Sequence, residues 1–212
     1  MKYLRLNDVD FNKYDWFGFD MDGTLYDEIT FIKQAYRRIA AYFSLDTSVE
    51  VDSIFNDMIE KWIVKGSSYP FIFEETLRTF NIQNKTIEHA LHIYRSTEPQ
   101  LTLSKKIEKL LENLPRSKCF LITDGYASLQ RKKYTALVLA RYFAPDNCCF
   151  TGDLGRNHYK PSSLSLSTIK SIESSSRLIY FGDRHIDEQF CINTRMDFVY
   201  VDNFKEFWRD GI

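Results

Sequence analysis

The side chains in this 212-residue chain whose types and spacing can do chemistry cluster at the ends of short apolar runs. Asp20 and Asp22 flank Met21 and follow Trp16-Phe17-Gly18-Phe19, with Gly23-Thr24-Leu25 after them. Side chains alternate along an extended strand, so the two carboxylates are expected on one face. At that separation they repel unless a cation sits between them or one of them keeps a proton. Thr123, followed by Asp124-Gly125, ends the run Cys119-Phe120-Leu121-Ile122; Gly182-Asp183 ends Leu178-Ile179-Tyr180-Phe181, with Asp187 four residues on. Lys160 precedes Pro161 in a turn-rich stretch from Gly152. Four carboxylates, one hydroxyl and one ammonium suit a hard cation together with a phosphoryl group. Carboxylate and carbonyl oxygens hold Mg²⁺, while the metal, the lysine and the hydroxyl balance phosphate charge. A lone Asp-x-Asp-Gly is also a common strand-to-loop turn, so the surrounding elements must decide.

Those elements alternate. A first strand is predicted over 15–19, and four amphipathic helices follow within 28–100. In the first of these, Phe31, Ala35, Ile39 and Phe43 recur at helical spacing. The second runs over 51–65 and is ended by Gly66-Ser67-Ser68; the third and fourth cover 71–80 and 86–94. Beyond Pro99 the pattern predicts a helix over 104–113 capped by Ser104, a strand at 119–122, a helix over 129–143 and a strand at 148–151. A helix opened by Pro161 and running to 173, a strand at 178–181, a helix over 186–194 and a last strand at 198–201 complete it, before a tail with Phe204, Phe207 and Trp208. Residues 1–14 read as a polar lead-in. Strand and helix alternating in this way predict an α/β fold with a mostly parallel sheet flanked by helices. The helical block, inserted after the first strand, is expected to form a lid over Asp20. In a parallel sheet the strand ends that carry Asp20, Thr123 and Asp183 share one edge, where such folds keep their ligands.

Composition narrows the partners. With 28 Lys and Arg against 29 Asp and Glu, the net charge of −1 carries no footprint for nucleic acid or an anionic membrane. The four cysteines, two of them adjacent, suit neither a metal clamp nor a disulfide framework and are expected reduced and buried. No run approaches a membrane span or a signal peptide, so a cytoplasmic protein, monomeric or homodimeric, is expected.

Asp20-Met21-Asp22-Gly23-Thr24-Leu25, Thr123, Lys160 and Gly182-Asp183-x-x-x-Asp187 together resemble the four ordered motifs of the haloacid dehalogenase superfamily, over residues 15–200. The resemblance implies a Rossmann-like core of residues 1–27 and 101–212, with 28–100 as a helical cap of the type inserted between the first two motifs. It implies Asp20 as the nucleophile that becomes an aspartyl-phosphate and Asp22 as the acid and base that protonates the leaving oxygen and activates water. It places phosphate at Thr123, at the Asp124-Gly125 turn and at Lys160. It places Mg²⁺ at Asp20, at Asp22 through its main-chain carbonyl and at Asp183, with Asp187 in an outer position. Asp124 stands where many relatives carry asparagine; Arg184 and His185 stand where small or polar residues are common. Relatives acting on carbon–halogen or phosphonate bonds lack the second aspartate, so Asp22 favours phosphate esters. The expected activity is Mg²⁺-dependent hydrolysis of a small phosphorylated metabolite. A sugar phosphomutase and a non-catalytic binding protein are the alternatives. Lys61, at a separation similar to that of a phosphonatase lysine, reads as a solvated helix face, and His158 and His185 read as structural. The aromatics Tyr36, Tyr42, Trp62, Tyr69, Phe71 and Phe73 are expected mainly to pack the cap, and 66–70 is the loop expected to reach the site.

Overall fold

The computed structural model describes residues 3, 4, 6–103 and 105–201. The expected cap at Ser104 and the aromatic tail at Phe204, Phe207 and Trp208 lie outside the described residues. The chain divides into two compact units, residues 1–28 with 100–212 and residues 29–99.

The first unit is built on a parallel sheet. Among the described residues its order is β1 (Tyr3–Leu4), β6 (Asp197–Tyr200), β5 (Leu178–Gly182), β2 (Trp16–Phe19), β3 (Cys119–Thr123), β4 (Cys148–Phe150). Every residue of β2 and β3 is buried, because a parallel sheet covered on both faces asks for continuous apolar runs instead of alternation. Phe19 sits in register with Leu121 on one side and Phe181 on the other, and its ring stacks on Phe181 at 4.7 Å. The strand order reverses around β2, so the crevice beyond the carboxyl ends of β2, β3 and β5 is the ligand-binding position of such sheets. The helices α5 (Lys105–Glu112), α6 (Ala127–Ala136) and α7 (His185–Thr194) belong to this unit.

Gly18 is the narrowest point of the sheet. It lies in register between Phe120 and Tyr180, and a Cβ there would stand 2.2 Å from Phe120 Cζ and 2.5 Å from Tyr180 Cδ2. Gly18→Ala is therefore expected to lower stability by about 2–3 kcal/mol through overpacking. The check is a reduced denaturation midpoint with an unchanged denaturant slope.

The second unit consists of α1 (Glu28–Ser44, beginning one residue before the boundary), α2 (Val51–Lys65), α3 (Ile72–Thr79) and α4 (Ile87–Ser96). Tyr36 packs edge-on against Phe73 at 5.6 Å, and Thr86 caps α4 by accepting from His89 N–H. Lys61 is not a solvated face: its side chain is only 16% exposed and pairs with Asp57 one turn earlier. The other oxygen of Asp57 accepts from the buried Thr76 hydroxyl at 2.7 Å. That shared carboxylate draws the ammonium inward.

Three further expectations change. Residues 161–173 form turns and a single 3-10 turn at Leu166–Thr168, not a helix. The Ser and Thr hydroxyls there bond to nearby carbonyls, Ser165 to Ser162, Ser167 to Leu164 and Thr168 to Ser165, and so compete with a helical ladder. The helix over 129–143 stops at Ala136; Val138 adopts a left-handed conformation (φ 54°), and a 3-10 turn at Leu139–Arg141 follows. The bend buries both Leu137 and Leu139 and leaves Val138 exposed. Within the polar lead-in, Tyr3–Leu4 adds a short edge strand to β6. The cysteines are free thiols, three of them buried and Cys148 half-buried.

Candidate active site

Asp20 follows β2 directly, and its N–H continues the ladder to the Phe181 carbonyl at 2.9 Å. Its carboxylate, 1% exposed, accepts from Lys160 Nζ at 2.6 Å through Oδ1. The same ammonium donates to Asp187 Oδ1 at 2.5 Å and to the Tyr180 hydroxyl at 3.3 Å. Tyr180 in turn donates to the Ile122 carbonyl at 2.9 Å. Lys160 thus spends all three donor positions inside the fold. Burial alone would depress its pKa, but Asp187 and Asp20 outweigh that and raise it well above the ordinary lysine value.

The backbone at Lys160 is held as well. Its N–H faces the Asp124 carboxylate at 3.2 and 3.3 Å, and Asp124 Oδ1 also accepts from the Thr151 hydroxyl at 2.8 Å. This corrects the expected contact of Asp124 with phosphate. A carboxylate only accepts, and this one is turned to the loop that carries Lys160, so Asp124 could offer a phosphate nothing but its backbone N–H.

Asp183 reaches the same edge from β5. Gly23 makes room for it: with φ at 75°, a Cβ there would lie 2.0 Å from Asp183 Oδ2. Asp20, Asp183 and Asp187 each bring one carboxylate oxygen within 4.8 Å of the others. Burial, followed by repulsion from Asp20 and Asp187, pushes Asp183 up to about 8. Burial also raises Asp20 to about 6, against the opposing pull of Lys160. Asp20 Oδ2 and Asp183 Oδ1 are buried with no hydrogen-bond partner. Two orphaned carboxylate oxygens facing mutual repulsion are what a hard divalent cation would satisfy. Asp187 fits a ligand less well, because Oδ1 accepts from Lys160 and Oδ2 from Arg184 N–H at 3.1 Å. It supports the site from behind.

Asp22 goes elsewhere. The strand ends at Phe19, so the alternation expected to place Asp20 and Asp22 on one face does not extend that far. Among the described residues the close carboxylate group contains Asp20, Asp183 and Asp187 but not Asp22, so its side chain is not a metal ligand in this geometry. The Asp22 carboxylate instead accepts from Lys133 Nζ at 2.7 Å, from Gln130 Nε2 at 2.7 Å and from the Tyr26 hydroxyl. Burial works to raise its pKa, but Lys133, with help from Tyr26 and Gln130, brings it below the ordinary aspartate value. Gln130 Nε2 also reaches Thr123 Oγ1 at 2.7 Å.

Gln130, Lys133, Tyr26, Tyr180 and Thr151 were not expected from the sequence. The available signal was the i, i+3 spacing of Gln130 and Lys133, which puts both on one side of α6. Arg184 is half-buried, with Nε 4.0 Å from Asp183 Oδ1. Burial opposes its charge, but Asp20, Asp187, Asp183 and Glu28 raise its pKa nonetheless. Glu28 itself is pushed up to about 7 by burial and by Asp22. His185 meets Glu188 at the surface at 3.0 Å. A cavity of about 570 Å³ lies beside β4, lined by residues including Arg131, Cys148, Asp153 and Lys170, and none of the candidate residues line it.

The family model described as haloacid dehalogenase-like hydrolase matches residues 18–201. None of the curated proteins matches the chain. Similar solved structures include a Lactobacillus plantarum protein assigned as a phosphoglycolate phosphatase, at 19% identity and TM-score 0.57, covering 91% of this chain and 88% of that one. A Thermotoga maritima protein assigned as a β-phosphoglucomutase gives 18% identity and TM-score 0.60, with 91% of both chains covered. A Bacillus subtilis protein assigned as the HAD-hydrolase YfnB, solved with bound magnesium, gives 16% and 0.62, covering 89% of this chain and 86% of that one. At these identities the likeness establishes a shared fold, while the family model spans nearly the whole of the core motifs. The chain belongs to the haloacid dehalogenase-like hydrolases.

Proposed function

We propose that this chain is a Mg²⁺-dependent phosphomonoester hydrolase that works through an aspartyl-phosphate on Asp20. The observation that carries this reading is the Asp20 carboxylate itself: one oxygen is held by Lys160 and the other is buried without a donor beside Asp183. A carboxylate with one oxygen at an ammonium and the other open beside Asp183 can offer one oxygen to phosphorus while the other meets the cation.

In the first half-reaction one Asp20 oxygen forms a bond to phosphorus as the bond to the ester oxygen breaks, and that ester oxygen leaves with a proton delivered by Asp22. In the second, Asp22 takes a proton from water, whose oxygen attacks phosphorus; the acyl phosphate bond breaks, freeing phosphate and restoring Asp20. Thr123 meets the phosphoryl oxygens, and the Lys160 ammonium offsets charge from its place against Asp20. Asp20, Asp183 and the main-chain carbonyl of Asp22 are the groups proposed to hold Mg²⁺, which when bound offsets phosphate charge. The lowered pKa of Asp22 favours the half-reaction in which it is a base. Asp22 favours phosphoryl chemistry over carbon–halogen cleavage, since an ester oxygen needs a proton to leave, and neighbours assigned as a phosphatase and a phosphomutase are in keeping with it. A small phosphorylated metabolite is the proposed substrate class. No helix among the described residues is long and apolar enough to cross a membrane.

The test is phosphate release from a panel of small phosphomonoesters, with Mg²⁺ or with a chelator. Turnover that disappears in chelator and returns on adding Mg²⁺ is the expected result. No turnover of any ester, together with no beryllofluoride adduct at Asp20, would overturn the reading.

A further inference from the structure

Gln130 and Lys133 are each 2% exposed although one is an amide and the other an ammonium. Lysine is rarely so buried unless paired, and burying a charge costs several kcal/mol unless a partner compensates. The Asp22 carboxylate meets both residues, 108 and 111 positions away in sequence. Tyr26, also buried and only four residues on from Asp22, adds its hydroxyl to the same carboxylate.

The amide of Gln130 does two things at once. A carboxylate only accepts, so the atom facing Asp22 must be the nitrogen, and the same nitrogen stands 2.7 Å from Thr123 Oγ1. Its two hydrogens serve the two neighbours. With Thr123 Oγ1 already accepting, the threonine's own proton is left to donate elsewhere. The amide thereby sets both the direction of the carboxylate and the polarity of the hydroxyl.

We propose that Lys133 and Gln130 are positioning residues for the reaction: Lys133 fixes the Asp22 carboxylate in one orientation, and Gln130 fixes Asp22 and turns Thr123 into a hydrogen-bond donor toward the phosphoryl group. The proposal rests on the phosphomonoesterase reading above, and the two residues have separable signatures. The role assigned to Lys133 runs through Asp22, so its loss falls on the step in which the leaving oxygen acquires a proton. That step limits alkyl esters, whose alkoxides leave poorly, much more than p-nitrophenyl phosphate. Gln130 also orients the hydroxyl at the phosphoryl group, which every ester shares.

The experiment compares kcat for an alkyl phosphate and for p-nitrophenyl phosphate in the wild type, Lys133→Met and Gln130→Leu, each alone and with Asp22→Asn. Lys133→Met is expected to lower kcat for the alkyl ester by about 10²-fold and to lower it much less for the aryl ester. Gln130→Leu is expected to lower both. In the Asp22→Asn background, Lys133→Met should cause no further loss of the residual aryl ester activity, because residues acting as one unit are not additive. Lys133→Arg, which keeps the charge, should recover part of the alkyl ester rate. Equal losses on both esters in Lys133→Met, or a full additional loss on top of Asp22→Asn, would overturn the proposal. If Lys133→Met fails to fold, Gln130→Leu carries the test: it keeps the ion pair and must still lose activity on both esters. A wild type with neither turnover nor a beryllofluoride adduct at Asp20 would overturn the phosphomonoesterase reading and this assignment with it. Turnover in the wild type with equal losses on both esters in Lys133→Met, or with no loss in Gln130→Leu, would overturn the assignment alone.

Discussion

Asp20→Asn is expected to abolish phosphate release, on the order of 10⁴-fold or more, while raising the melting temperature of the metal-free protein at neutral pH. Loss of activity follows from removing the attacking oxygen. The gain in stability follows from what surrounds it. Burial holds the Asp20 carboxyl at about 6 in the fold against 3.8 for an ordinary aspartate, so its ionised form disfavours the folded state at pH 7 by roughly 3 kcal/mol. Asparagine removes that charge in nearly the same volume and relieves Asp183, whose pKa is raised to about 8 first by burial and then by Asp20 and Asp187.

The sign runs in one direction for both acids. Each has a folded pKa above its unfolded one, so between the two values the folded state binds more protons and stability falls as pH rises. Metal-free wild type should therefore lose stability from about pH 4 through pH 6 as Asp20 ionises, and on to about pH 8 as Asp183 follows. Asp20→Asn should flatten that slope. Saturating Mg²⁺ should reverse it in the wild type by mass action and do much less in the variant. Thermal melts across pH 4–8, with and without Mg²⁺, check all of this. A variant that melts lower than the wild type at pH 7.5 without metal would contradict the argument.

The parts of the site that were legible in the sequence and the parts that were not differ for a physical reason. β2, β3 and β5 are buried on both faces, so each appears as an unbroken apolar run. The first polar residue after each run, Asp20 or Asp183, or at its end, Thr123, then marks the sheet edge. Parallel pairing does the rest, since it brings the three ends together. Gln130 and Lys133 gave no comparable sign. A lysine on a helix reads as solvent-facing, and an acceptor more than a hundred residues away compensates its burial here. Lys61 misleads in the same way on a smaller scale, through Asp57 and Thr76. Alternation along β2 does not fix the direction of the Asp22 side chain, because the strand ends at Phe19. The helix expected over 161–173 failed because hydroxyl groups at short spacing offer the backbone carbonyls other donors.

Lys160→Met should produce the largest loss of stability of any single change at this edge. Lys160, Asp20 and Asp187 are fully or almost fully buried, and the ammonium lies 2.6 Å from one carboxylate and 2.5 Å from the other. Deleting the shared cation leaves two buried carboxylates facing each other beside Asp183. Removing one partner of a buried ion pair typically costs about 3–5 kcal/mol, and here one cation serves two anions. The Lys160 loop should stay in place, because Asp124, itself bonded by the Thr151 hydroxyl, accepts from the Lys160 backbone N–H and not from the side chain. The loss should therefore be electrostatic and partly reversible. Lys160→Met combined with Asp187→Asn removes one of the stranded charges and should recover a substantial part of the stability, since apolar or neutral replacements of buried ion pairs are often tolerated. Activity should not recover, because the double variant still lacks the ammonium that fixes one Asp20 oxygen and offsets charge beside it. Denaturant midpoints for the single and double variants, read beside phosphate release, separate the two roles. If the double variant is no more stable than Lys160→Met, the coupling between Lys160 and Asp187 is not what holds this edge together; if it regains activity as well, Lys160 serves the fold and not the reaction.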